Sequence, residues 1–182
     1  MNAITRHALT TATLLAIGSM GASPAAAQDN DELRAITARV HGTFQDNSGG
    51  LGVVSGDMTI ARFEVVSGSV TAIGRIAGAM ADSSGTVLGP VDQELAFVVA
   101  NVASTCNQLR MDLGATDAHV LQVPVHFDQE VAGFDSREGT TPKARPVLCA
   151  AGRMLQGRPT DEVVMRALND VVTALASRPA AR

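Results

Sequence analysis

The sequence contains no tryptophan and no tyrosine, and phenylalanine occupies only 5 of its 182 positions. Proteins that bind sugars or single-stranded nucleic acids commonly stack their ligands on flat aromatic side chains, so this shortage argues against both functions. Lys143 is the single lysine, and the arginines are dispersed along the chain. Because nucleic acids and anionic membrane surfaces are bound by clustered positive charge, the sequence predicts neither as a partner.

Long apolar runs are absent after Gln28. Residues 1–27 instead combine a short basic segment, an uncharged apolar segment at about 8–22, and three alanines before Gln28. This three-part layout is typical of a secretory signal peptide, and the apolar segment is shorter than the roughly 20 residues of a membrane-spanning helix. We therefore expect cleavage near Ala27, export to the periplasm or the extracellular medium, and no transmembrane segment in the mature chain.

The mature chain would have about 155 residues, which suits one hydrophobic core and is too short to suggest two domains. We predict a disordered mature N-terminus at 28–34 and a single β-rich domain at 35–178. The formal net charge of the mature chain is −5, against −4 for the full chain, because residues 1–27 contain one arginine and no acidic residue. This mild acidity again argues against nucleic acid as a partner.

Only two cysteines are present, Cys106 and Cys149, and both belong to the mature chain. Disulfides form and persist in exported proteins, so the sequence predicts a bridge between them. Closing a loop of about 44 residues would contribute about 4 kcal/mol to stability by the loop-entropy estimate. Zinc ligation and a reactive thiol are the alternatives. Zinc is disfavoured because the cysteines are far apart, with no C-x-x-C spacing and no close histidine partner.

Most of the mature chain has the rhythm of antiparallel strands. Residues 35–45 alternate apolar and polar side chains, and a period of two predicts a half-buried strand. Turn-forming stretches such as DNSGG at 46–50 then recur about every dozen residues, which is typical of hairpin-connected strands. The alternation changes parity between Ile60 and Phe63, so we expect a β-bulge near Arg62. The predicted fold class is mainly β, an antiparallel meander forming a sandwich or a partly closed barrel.

Two helices are predicted near the C-terminus. A short helix would carry Cys149, and an amphipathic helix would cover 161–177. Thr160 can cap the second helix, while Asp161 and Glu162 complement the positive end of its dipole. Its apolar residues recur at helical spacing, at Val164, Leu168, Val171, Val172 and Leu175.

Two further stretches carry structural expectations. Gly133 to Pro146 is polar and is predicted to be an exposed loop. Ala72, Gly74 and Gly78 are small residues on one face of a predicted strand. They would either leave room for a ligand or let a helix approach closely, and we favour helix packing.

Three stretches of the chain occur together in a recognisable pattern. They are MTIARFEVVSGSVTAIGRIAG, then CNQLRMDLG leading to VHFDQ, and finally LCAAG around Cys149. In these the chain resembles a set of uncharacterised exported bacterial proteins with a C-x-x-L-x-L-x-L-G, V-H-L-D-Q and L-L-C-A-V-A pattern, over roughly Leu51 to Leu155. It departs from them at TTPKARPVL, where they have a Gly-Asn-Leu-Leu repeat. No activity is established for the set, so the resemblance implies export and fold and assigns no catalytic residue.

His126 and Asp128 form the sharpest candidate for a functional site, because alternate residues of one strand project from the same face. With His119 or His41 they could ligate a transition metal, since imidazole and carboxylate groups both bind such ions. A solvated strand face explains the same pattern, and His119 has the opposite parity to His126. We therefore assign no metal, no cofactor and no catalytic residue from the sequence.

A catalytic constellation is not evident elsewhere. The stretch GVVSG at 52–56 is not the G-x-S-x-G pattern of an activated serine. The sequence therefore favours a non-catalytic exported binding or cell-envelope accessory protein, whose partner would be a small apolar ligand or an envelope protein. The alternatives are a binder of a small, lipid-like ligand in an apolar β cavity and, less favoured, a metal-dependent enzyme that uses His126 and Asp128.

Overall fold

The computed structural model describes residues 35–136 and 144–177, so the predicted signal peptide and the predicted disordered segment at 28–34 lie outside the described residues. Strands come first and helices last. The strands are β1 (Ile36–Gln45), β2 (Leu51–Val66), β3 (Ser69–Ala81), β4 (Val87–Ser104), β5 (Gln108–Leu113), β6 (Thr116–Val120), β7 (Val123–Phe127) and β8 (Glu130–Asp135). The helices are α1 (Ala144–Met154) and α2 (Asp161–Ala176). The predicted fold class, mainly antiparallel β with two C-terminal helices, is confirmed.

The strands form one antiparallel sheet that returns to its starting strand. β1 pairs along its whole length with β2, β2 pairs with β3, and β3 pairs with β4. β4 then pairs with β5, β5 with β8, and β8 with β1. Six of the described strands are therefore linked in a ring, which corresponds to the partly closed barrel among the predicted forms.

The hairpin of β6 and β7 extends this ring at one end. β7 pairs with β1 at Gly42 and Thr43, whereas the pairing of β6 within the described chain is with β7. On its other side β6 lies beside β4, where the Gln93 side chain donates a hydrogen bond of 2.9 Å to the His119 carbonyl. A side chain rather than a backbone ladder therefore connects β4 to β6.

Irregular pairing shapes two of the strands. The register between β2 and β3 shifts between Ile60 and Arg62, which confirms the predicted bulge. Beyond it Phe63 faces the interior and is 2% exposed. A second shift, which was not predicted, sets Leu88 as an extra residue of β4 opposite the end of β3.

Glycines let β2 and β3 approach each other closely. Gly56 and Gly78 are paired across the two strands, and a Cβ atom added at Gly78 would lie 2.6 Å from the Gly56 Cα. A Cβ atom added at Gly74 would lie 2.9 Å from the Cα of Ile60. The expectation that Gly74 and Gly78 make room for a helix is therefore wrong, because the neighbouring strand occupies that space.

The helices cover the end of the barrel at which β2 ends and β3 begins. α2 contacts β2, β3 and α1, and its apolar stripe joins the core of the barrel. Its buried residues are Ala167, Leu168, Val171 and Leu175. The helix begins at the predicted residue, although Thr160 makes no side-chain capping bond and only its carbonyl accepts from the Val163 and Val164 amides. No helix in the described ranges is both long and apolar enough to cross a bilayer.

Asn169 of α2 completes the hydrogen bonding of β2. β2 continues past Ile60, the last of its residues paired with β1, so its following residues lack a strand on that edge. The Asn169 side-chain oxygen accepts a hydrogen bond from the Phe63 amide, and its NH₂ group donates to the Phe63 carbonyl, each at 2.8 Å. One side-chain amide thus takes the place of a neighbouring strand.

Cys106, in the loop between β4 and β5, forms a disulfide with Cys149 of α1, in agreement with the predicted bridge. Beside it the Ser104 hydroxyl donates a hydrogen bond of 3.3 Å to the Leu148 carbonyl. The covalent bond and the hydrogen bond together fasten α1 to the end of β4.

The prediction of an exposed loop from Gly133 to Pro146 is wrong at both ends of that range. Gly133 pairs with Arg110 of β5 and with Thr37 of β1, so it is a strand residue with partners on both edges. α1 already begins at Ala144. Residues 137–143 lie outside the described part of the chain.

Candidate functional site

The predicted pair of His126 and Asp128 is not brought together by a hydrogen bond or an ion pair among the described residues. His126 Nδ1 instead lies 2.7 Å from the carboxylate of Asp117, its cross-strand neighbour on β6. Asp128 follows β7, and its backbone N–H donates to the His41 carbonyl at 3.1 Å. The polar side chains of this surface therefore form local contacts across paired strands.

His41 has a different carboxylate partner. Its Nδ1 atom lies 3.1 Å from Glu130 Oε1, which also accepts a hydrogen bond from the His41 amide at 3.0 Å. Over residues 35–136 and 144–177, no three side chains of His, Cys, Asp or Glu gather in a way that could hold a metal ion. The structure thus gives the metal hypothesis for His126 and Asp128 no further ligand from His41 or His119.

Two loops with the same local structure lie at the end of the barrel opposite the helices. DNSGG at 46–50 joins β1 to β2, and DSSGT at 82–86 joins β3 to β4. In each loop one oxygen of the aspartate accepts hydrogen bonds from the serine two residues later and from the amide four residues later. The following glycines, Gly49 and Gly85, have φ angles of 81° and 84°, which only glycine adopts without strain. The shared D-x-S-G spacing thus specifies a shared turn.

Asp46 also ties the first loop to the second. Its second oxygen accepts a hydrogen bond of 3.0 Å from the Ser83 amide. Hydrogen bonds from Ser48 and Ser83 hold the pKa of Asp46 well below its usual range. The Ser84 hydroxyl and the Thr86 amide likewise lower the pKa of Asp82. Both carboxylates are therefore ionised at neutral pH.

A cavity of about 280 Å³ opens between these loops and the start of β7. Its apolar lining comes from Phe44, Leu88 and Val123. Its polar lining comes from Gln45, Asp46, Asn47, Ser48 and Asp82. Leu88 is the extra residue of the β4 bulge and is 52% exposed, whereas Phe44 is buried and also belongs to the core of the barrel. We refer to these eight residues as the mouth.

The tip of the β6–β7 hairpin stands next to the mouth. Leu121 and Gln122 form its two-residue turn, with φ angles of 50° and 72°. Such a turn favours Asn-Gly, because most side chains are strained at positive φ. Leu121 is nevertheless 49% exposed, and its Cδ1 atom lies beside Gly89, the neighbour of Leu88. The apolar surface therefore continues from the cavity onto the hairpin tip.

Sequence reasoning identified both loops as turns but did not find the mouth. The mouth combines residues from the ends of β1 and β4, the start of β7 and two loops, and only the ring brings these segments together. Leu88 reaches the cavity at a bulge that the apolar pattern did not reveal. The signal that was available is the repeated D-x-S-G spacing, which indicates two similar turns.

Comparison with known proteins gives no further assignment, since no family model, no curated protein and no solved structure matches this chain.

Proposed function

We propose that this protein is an exported, non-catalytic binding protein that holds a small ligand with an apolar part in the mouth of its barrel. The observation that carries the proposal is the cavity of about 280 Å³. Small-molecule sites are concave, mainly apolar, and supplied with a few polar groups, and the mouths of barrels are among their usual locations. The mouth has this combination, because its lining includes Phe44, Leu88 and Val123 together with two aspartates.

The interior of the barrel supports a ligand at the mouth rather than deep in the core. Met58, Ile76, Phe97 and Phe127 are at most 1% exposed and belong to one packed cluster. The rings of Phe97 and Phe127 meet edge to face at 5.9 Å between centroids. The cavity is also slightly smaller than the roughly 300–1,000 Å³ of typical ligand sites, so part of the ligand would extend past the loops.

The surface histidines favour binding over catalysis. His126 and Asp117 are 55% and 85% exposed at their side chains, and neither lines the mouth. General-base catalysis depends on a base within hydrogen-bond reach of a bound substrate, and water competes with both partners of an exposed pair. A solvent-exposed contact between neighbouring strands accounts for these residues.

Export is supported by the N-terminal sequence and by the disulfide between Cys106 and Cys149. Mass spectrometry of the protein recovered outside the cytoplasm, with and without reduction, tests both. We expect a chain that begins at Gln28 and gains two hydrogens on reduction. A chain that retains residues 1–27, or free thiols at both cysteines, would contradict the export proposal.

Native mass spectrometry of the protein freshly isolated from its source tests ligand binding. We expect a bound small molecule in the unaltered protein and its loss in Leu88→Trp, because the indole would fill the cavity. Val131→Trp is the matched control, since Val131 is a comparably exposed strand residue on β8 outside the mouth. Absence of any bound molecule, or its retention in Leu88→Trp, would overturn the proposed site.

A further inference from the structure

The charge of the mouth restricts what it can bind. Asp46 and Asp82 both line the cavity, and its lining contains no lysine, arginine or histidine among the described residues. The two aspartates are neighbours, because Asp46 Oδ2 accepts a hydrogen bond of 3.0 Å from the amide of Ser83, the residue that follows Asp82. The mouth therefore presents two neighbouring negative charges beside an apolar surface.

The two aspartates differ in how their oxygens are used. Asp46 accepts hydrogen bonds at both oxygens, from its own loop and from Ser83. Asp82 accepts three hydrogen bonds at Oδ1, from Ser84 and Thr86, and no described residue donates to its Oδ2. Asp82 thus has an available acceptor atom at the edge of the cavity, whereas Asp46 is committed to holding the loops together.

The apolar surface extends beyond the cavity. Leu88 and Leu121 are 52% and 49% exposed, and the Leu121 side chain lies beside Gly89. A ligand with an apolar chain longer than the cavity would contact both leucines. Covering exposed leucines with an apolar group favours binding, because it removes apolar surface from water.

We propose that the mouth binds a cationic amphipath, an apolar chain that ends in an ammonium group, and that Asp82 determines this specificity. The ammonium group donates to Asp82 Oδ2, and the chain lies along Phe44, Leu88 and Val123 towards Leu121. This inference rests on the proposed function and specifies the class of its ligand. An anionic head group such as a carboxylate or a phosphate is rejected, because it would be brought up against two like charges.

Three probes with the same chain test the charge preference on the unaltered protein: decylammonium, decanol and decanoate, each below its micelle concentration. Binding is followed by NMR of the Leu and Val methyl groups at neutral pH and low salt, since surface charge interactions weaken as salt rises. We expect decylammonium to shift the signals of Leu88, Leu121 and Val123 and to bind at least about tenfold more tightly than decanoate. The affinity for decanol is expected to lie between the affinities for the two charged probes.

Asp82→Asn tests the residue assignment. The variant keeps a side-chain oxygen for the turn and removes the charge. We therefore expect the affinity for decylammonium to fall about tenfold, and the difference between the affinities for decylammonium and decanoate to become smaller. Asp57→Asn is the matched control, because Asp57 is an exposed aspartate on β2 outside the mouth. The affinities of this variant for the three probes should equal those of the unaltered protein.

The outcomes separate this inference from the proposed function. Decanoate binding at the same methyl groups as tightly as decylammonium would overturn the cationic specificity and leave the mouth as a binding site. Unchanged decylammonium affinity in Asp82→Asn would overturn the role of Asp82. If no probe shifts Leu88 or Val123 and no molecule co-purifies with the protein, both proposals are wrong. The comparison of probes on the unaltered protein holds even if Asp82→Asn folds poorly.

Discussion

The two ends of the barrel are built in opposite ways. At the helical end, α1 and α2 bury their apolar faces, a disulfide fastens α1, and Asn169 satisfies the free edge of β2. At the mouth, short loops connect the strands, and Leu88 and Leu121 remain about half exposed. Two of the described helices cover the first end and neither of them covers the second. The proposed binding site therefore lies at the end that the helices leave open, whereas changes at the end that they close should cost the most stability.

Among the changes considered at the helical end, removal of the disulfide should reduce stability the most. For the double variant Cys106→Ala, Cys149→Ala we expect a loss of about 4 kcal/mol in the free energy of unfolding, because the bridge closes a long loop in the unfolded chain. Urea denaturation measures this loss. Methyl signals of Leu88 and Leu121 should keep their positions below the unfolding transition. A loss under about 1 kcal/mol would show that the bridge contributes little beyond the packing of α1.

Asn169→Ala is expected to have the next largest effect. It removes both hydrogen bonds to Phe63 and leaves a partly buried amide and carbonyl without partners, which costs about 2 kcal/mol. Amide hydrogen exchange at Phe63 should accelerate.

Asn101→Ala is the control for this change, because within the described part of the chain the Asn101 side chain makes a single, exposed hydrogen bond of 3.3 Å to Asp112. We expect a change below about 0.5 kcal/mol there. Equal effects of the two variants would show that covering the edge of β2 has no special role.

At the mouth, the double variant Leu121→Asn, Gln122→Gly should act in the opposite direction. Asn-Gly suits the positive φ angles of this turn, so we expect a gain of about 1 kcal/mol in unfolding free energy. Binding of decylammonium should weaken at the same time, because the apolar side chain is lost. A loss of stability would mean that Leu121 contributes more by packing on β4 than its backbone conformation costs.

The smallest change in stability is expected for Asp46→Asn, and the size of this change should depend on pH. Because folding lowers the pKa of Asp46 from 3.8, its charged form stabilises the folded state above pH 3.8, and that contribution disappears as the pH falls towards the lowered value. The melting temperature of the variant should therefore lie below that of the unaltered protein at pH 7. The difference should shrink between pH 4 and pH 2. A difference in melting temperature that stays constant from pH 4 to pH 2 would contradict the conclusion that the charged form of Asp46 stabilises the folded state.

The strands and helices were readable from the sequence because each element buries one face. The alternation in β1 and the helical spacing in α2 both record which side faces the core. The parity change near Arg62 likewise marked the bulge in β2. Two cysteines in a chain predicted to be exported offered a single pairing. The resemblance to exported bacterial proteins remains a prediction, as does the division at residues 35 and 178.

The mouth could not be found in the same way, because its residues share no period. Phe44 lies at the end of one strand, Val123 begins another, and Leu88 reaches the cavity only because a bulge turns it. The pairing of His126 with Asp117 instead of Asp128 was hidden for a related reason. Same-strand parity shows which side chains share a face, but the neighbour across the hairpin depends on register.

The pairing of β1 with β8 governs the order in which this barrel can be assembled. Thr37 meets Gly133 of β8 and Gly42 meets Phe127 of β7, so the second edge of the first strand is satisfied by the last two strands. During synthesis from the N-terminus, β1 is complete long before β7 and β8, its partners on this edge, have been made. During that interval β1 can pair with β2 on one side but remains an open edge on the other, and open strand edges are prone to aggregation. The yield of folded protein should therefore respond more to changes that slow the docking of β7 and β8 onto β1 than to changes in the hairpins formed earlier.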